Sequence, residues 1–104
     1  MQKHSAIIVY LHSPREKIWG IVLSIEASGV TIRGIDLNSF DDWCREVSRD
    51  ETTMGLSTAF FPMHRVERIL LDESVGSVQS LAQVFESRAG MDVWSFLDLS
   101  LPEV

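Results

Sequence analysis

His64, Arg65, Glu67 and Arg68 are the densest group of residues able to do chemistry in this chain. A forked guanidinium beside an imidazole suits an anion or a carboxylate. The competing reading is a charged turn whose members pair with one another, which is the more ordinary use of such residues. A second constellation would join Cys44 to His12 or His64 as nucleophile and base. Cys44, however, lies between Trp43 and Val47 on an apolar helical stripe, where cysteine acts as a small hydrophobe. Asp36, Asp41 and Asp42 carry the oxygens a hard cation takes. Asp41 and Asp42 also suit the first turn of a helix. The three histidines are dispersed and show no ligand spacing with the one cysteine, so neither a metal nor a cofactor is expected. Trp19, Trp43 and Trp94 could stack bases. Each falls on the apolar side of its own element, and core packing is the expected role.

Composition narrows the field. The chain has 104 residues, 45% apolar and 23% charged, which is ordinary for a single globular domain spanning 1–104. Its formal charge of −6 argues against phosphate backbones, which are held by Lys and Arg. Arginines are scattered, and only Arg65 and Arg68 lie close together, with Glu67 between them. No apolar run approaches the roughly 18 residues of a membrane span. The apolar stretch in MQKHSAIIVYLHS is too short for the core of a secretory signal. A cytoplasmic location is therefore expected, and the lone Cys44 can form no internal disulfide.

The elements that must position these residues are mostly strands. AIIVYL, 6–11, is β-branched and aromatic, a strand buried on both faces. KIWGIVLSIE, 17–26, alternates Trp19, Ile21, Leu23 and Ile25 against Ile18, Gly20, Val22 and Ser24. The turn ASG leads to a third strand, VTIRGIDL, 30–37, and makes a hairpin with the second. Gly20 and Gly34 mark bends. SFDDWCREVSR, 39–49, then breaks the pattern. Phe40, Trp43, Cys44 and Val47 recur at helical spacing, Ser39 stands at the N-cap, and Asp41 and Asp42 favour the dipole. STAFFP, 57–62, and ERILLD, 67–72, are the last strands, joined by a tight turn at MHRV. Ser77 is expected to cap a helix with Val78, Leu81, Ala82 and Phe85 inward, ended by Gly90. Asp92 caps a short helical turn, and residues 100–104 are expected to fray.

VYLHSPREKIWGIVLSIEASGVTIRGI followed by STAFFPMHRVERI resembles small β-barrels of the Sm-like type. The closing segment FFPMHRVERI also looks like that of PRC-barrel domains. The resemblance implies a mostly β, α+β fold: a five-stranded Sm-like small barrel over about 6–72. A helix is inserted between its third and fourth strands at about 39–49, and a C-terminal helical segment covers about 77–99. The Sm-like RNA signature needs an Asp and an Asn in the hairpin turn and an Arg-Gly pair in the later strand pair. The turn here is EASG and the later one MHRV, so no RNA-binding residue carries over.

Phe60 and Phe61 are adjacent on one strand and must point to opposite faces. One ring enters the barrel, and the other must be covered or exposed. A barrel this small cannot enclose both faces, so helices or another chain must cover the outside. The first expectation is a non-enzymatic interaction module, a homo-oligomer or a binder of a protein partner. It would act by strand addition at a barrel edge, through Phe60, Phe61, Pro62, Met63 and Arg65. The second is a nucleic-acid-binding barrel using Arg33, Arg65 and Arg68. The third is a small-molecule-binding or sensor domain. Its pocket would lie between the Trp43 helix and the barrel, with at least two converging polar groups.

Overall fold

The computed structural model describes residues 1–51 and 53–102. Five strands form one antiparallel sheet: β1 (Ala6–Leu11), β2 (Glu16–Glu26), β3 (Gly29–Asp36), β4 (Ser57–Pro62) and β5 (Val66–Leu71). Their order is β4-β3-β2-β1-β5. Among the described residues there are three α-helices: α1 (Phe40–Ser48), α2 (Leu81–Ala89) and α3 (Val93–Leu97). The fold is therefore α+β and mostly β, with the expected helix between β3 and β4.

Strand alternation gives the sheet two apolar faces. On the inner face Ile7, Val9, Leu11, Val22, Val30 and Ile32 form one buried cluster, with Phe61 and Ile69 packed against it. On the outer face Trp19 and Ile21 join Phe40, Trp43 and Cys44 of α1, Phe85 of α2 and Val93 of α3. Gly20 and Gly34 are cross-strand partners on the inner face. A Cβ on Gly20 would stand 2.7 Å from the Arg33 carbonyl oxygen, and one on Gly34 would stand 2.5 Å from that of Trp19. No side chain fits there, and the sheet curls over this bare pair.

The curl does not close the hydrogen-bonded ladder. β4 and β5 stand at opposite edges and do not pair. They meet only at the 3₁₀ corner Met63–Arg65. Met63 N–H donates to the Ser28 carbonyl at 2.9 Å, and His12 N–H donates to that of Arg65 at 3.0 Å. The corner is thus tied to the β1–β2 and β2–β3 turns, while the strands leaving it diverge.

Several local expectations are corrected. A register shift at Leu23 breaks the alternation of β2, so Ile25 pairs with Val30 and does not continue the Trp19–Ile21 face. Ser39 makes no capping bond. A 3₁₀ turn, Leu37–Ser39, precedes α1, and Asp36 accepts from Asn38 N–H there. The second helix begins at Leu81, not Ser77, and Val78 is 69% exposed. Ser80 caps it with a reciprocal bond from Gln83, a Ser-x-x-Gln capping box that outcompetes the earlier serine. Gly90 ends it in the left-handed conformation, as its position predicts. Ser100, expected to fray, is held: its carbonyl lies 2.7 Å from His4 Nδ1, and Trp94 Nε1 donates to the His4 carbonyl at 2.6 Å. Residues 103 and 104 of that stretch lie outside the described residues.

Asp72, just past β5, joins the sheet to the helices. Its carboxylate accepts from the N–H groups of Leu81 (2.8 Å) and Ala82 (2.9 Å) and from the buried Trp19 indole (3.0 Å). Replacing it by Ala strands that indole N–H and takes the acceptor from two N–H donors at the start of α2. Asp72→Ala is expected to cost about 2–4 kcal/mol. Ser80→Ala, which removes a single capping bond, should cost only about 1 kcal/mol. Urea unfolding of the two variants checks the difference.

Candidate functional site

Two surfaces carry groups that the core leaves uncovered: the β4 edge with its corner, and a cleft beside α1. On β4 the two phenylalanines part as strand geometry requires. Phe61 packs on the inner cluster, and Phe60 is 52% exposed on the outer side, its ring against Gly29. Because Met63 N–H points inward to Ser28, alternation turns the backbone of Pro62, Phe60 and Thr58 outward. Pro62 has no N–H, so the free edge of β4 carries the donors of Thr58 and Phe60 alone. On β5, Asp72 N–H points inward to Ala6, which leaves Leu71 and Ile69 facing out.

Arg65 is spent inside the molecule. Its guanidinium donates to the Pro14 carbonyl (3.0 Å), the Glu16 carboxylate (3.0 Å) and the His12 carbonyl (3.4 Å). The side chain is only 23% exposed, and it fastens the corner to the β1–β2 loop. His64 is exposed and Glu67 points to solvent, so the cluster does not converge on one point. Arg68 lies over the Tyr10 ring, 4.3 Å from its centroid, with Lys17 at 5.4 Å. Arg33 is on β3, donating to the Thr58 hydroxyl at 3.3 Å. β2 and β1 separate it from Arg68. The three arginines form no continuous track.

Cys44 is fully buried in the outer-face cluster, and burial pushes its thiol up to about 11. It is protonated at neutral pH, and His12 and His64 are both exposed, away from that cluster. Among the described residues no group of three His, Cys, Asp or Glu is placed to hold a metal ion. No helix among them is long and apolar enough to cross a membrane. Trp19 and Trp43 are buried within a chain of aromatic rings that runs Phe40, Trp19, Trp43, Phe85, Phe96. Trp43 stacks on Phe85 at 4.6 Å. They are core, not an exposed platform.

The cleft has a volume of about 300 Å³ and lies between α1, the α1–β4 connection and α3. Trp43, Val47, Leu56, Phe96 and Leu97 make its apolar wall, and Arg33, Asp50 and Glu51 its polar part. Its outer loop is fastened by Glu46. That carboxylate accepts from the Thr53 hydroxyl (2.6 Å) and from the N–H groups of Thr53 and Met54 (both 3.1 Å). Sequence reading gave Glu46 no role, since its partners lie beyond the helix and leave no periodic signal. Ser80 and Gln83 did leave one, the capping-box spacing.

The Thr53 hydroxyl, with the two N–H groups, holds the Glu46 carboxyl below its ordinary 4.5. A depressed carboxyl contributes order above its unfolded value and loses it as pH falls through the lower folded one. The protection factors of the Thr53 and Met54 amides, corrected for the intrinsic pH dependence of exchange, should therefore hold at neutral pH and fall only as the pH drops below the ordinary carboxylate value. In Glu46→Gln the protection factors of these two amides should lose that pH dependence. Hydrogen exchange followed by NMR measures both. Compared with known protein families, curated proteins and solved structures, the chain matches none.

Proposed function

We propose that the protein is a non-enzymatic interaction module that associates through the free edge of β4, with a second copy of the chain as the first partner to consider. One observation carries this reading. A curled five-stranded sheet has its two edges unpaired, and one edge is flanked by a phenylalanine 52% exposed. An unpaired strand offers donors and acceptors that another strand satisfies, and natural proteins normally block such edges. Here β4 has only Pro62 at its end as a block. Strand addition supplies backbone bonds, and an exposed ring beside them supplies apolar contact. The strand order and the 3₁₀ corner suit a small barrel of the Sm-like kind whose seam between β4 and β5 is left for another strand. Thr58 and Phe60 face the partner, with Pro62 and Met63 at the end of the edge. Phe61 and Arg65 support it from within.

The outward setting of Thr58 gives a clean test. Thr58→Pro removes a free-edge donor and spares the backbone ladder to β3, losing only the hydroxyl that accepts from Arg33. Phe60→Lys places a charge where edges are normally protected. Native mass spectrometry at micromolar concentration should show the wild-type chain as a dimer or ring. Each variant should weaken that assembly at least about tenfold, the worth of about one backbone hydrogen bond. A wild-type chain that is a monomer throughout, with no strand-donating partner, would sink the reading.

A further inference from the structure

The geometry points to the cleft beside α1 as a binding site for a zwitterionic small molecule, an α-amino acid with a large apolar side chain. This does not rest on the association proposed above, because the cleft lies on the helical side and uses neither Phe60 nor the corner. Three observations carry it. First, the wall is apolar and built. Trp43 is fixed in the core, Phe96 is left 41% exposed, and the Glu46 bonds hold the facing loop in place. Second, the cleft is lined by one cation, Arg33, and two carboxylates, Asp50 and Glu51. Among the described residues none of the three has an ion-pair partner within 4.0 Å, and Arg33 donates only to the neutral Thr58 hydroxyl at 3.3 Å, so charges of both signs line the cleft without an ionic partner. A molecule carrying a carboxylate and an ammonium satisfies both at once, with its side chain against Phe96 and Leu97. Third, a volume of about 300 Å³ is at the small end of ligand clefts, which suits a single amino acid. Phosphate-bearing ligands meet two carboxylates and are repelled. A simple fatty carboxylate leaves Asp50 and Glu51 unanswered.

Isothermal calorimetry on the whole chain tests it, with L-phenylalanine as the probe. N-acetyl-L-phenylalanine lacks the ammonium, L-phenylalaninamide lacks the carboxylate, and hexanoate lacks both the ammonium and the ring. Saturable binding of L-phenylalanine is expected. Each blocked analogue, and hexanoate, should bind at least about tenfold more weakly, as the loss of a charge-assisted hydrogen bond implies. Arg33→Gln should weaken L-phenylalanine yet leave the amide unchanged. Asp50→Asn combined with Glu51→Gln should weaken L-phenylalanine yet leave the N-acetyl form unchanged. All three positions are at least partly exposed, and urea midpoints verify that the variants fold. No saturable binding, analogues or hexanoate as tight as L-phenylalanine, or variants that lower all probes equally would each overturn the assignment.

Discussion

The bare contact between Gly20 and Gly34 governs the shape of this molecule. On the inside of a curved sheet Cβ atoms converge, and here a Cβ would meet partner backbone at 2.5–2.8 Å. Backbone cannot move aside as a flexible side chain can. With hydrogen in that place β2 and β3 bend together, and the sheet wraps its own cluster of Ile7, Val9, Leu11, Val22, Val30 and Ile32. Wrapping solves one face only. Trp19 and Ile21, one residue either side of Gly20, are driven to the outside by the same alternation.

That outer face is why the chain carries helices. α1 delivers Phe40, Trp43 and Cys44 onto Trp19, and α2 adds Phe85 against Trp43. Packing alone has no direction, and Asp72 supplies it. One carboxylate reads both the indole of the sheet and the start of α2, so the helix can dock in one place only. His4, Ser100 and Trp94 close the far side by joining the two ends of the described chain. The same cover stops short of β4, which leaves Phe60 in solvent, and it leaves a gap between α1 and α3, which is the cleft.

The polar residues divide according to whether the fold consumes them. Arg65 is consumed by the corner and Arg68 by Tyr10. Glu46 is consumed by its loop, and Cys44 by burial. What remains available is backbone on the β4 edge and charge around the cleft. These differ in kind: the edge carries backbone donors and acceptors left out of the ladder, and the cleft carries charges of both signs without an ion-pair partner. Both are left over from one sheet that curls without closing.

Much of the architecture is legible in the sequence. Five strands, the helix at Phe40–Ser48 and the opposed fates of Phe60 and Phe61 follow from periods of two and 3.6, because those periods decide locally which way a side chain faces. The glycines at 20 and 34 are legible as bends for the same reason. Sequence reading misplaces the start of α2 at Ser77, although the Ser80 and Gln83 spacing of a capping box marks it. Where the ladder ends is not legible. Whether β4 pairs with β5, what Arg65 grips and what Asp72 caps depend on residues far apart in the chain, Trp19 and Asp72 being 53 positions from each other. Such contacts have no local period to betray them; only the folded backbone, by setting the curl and its opening, decides which groups meet and which stay free.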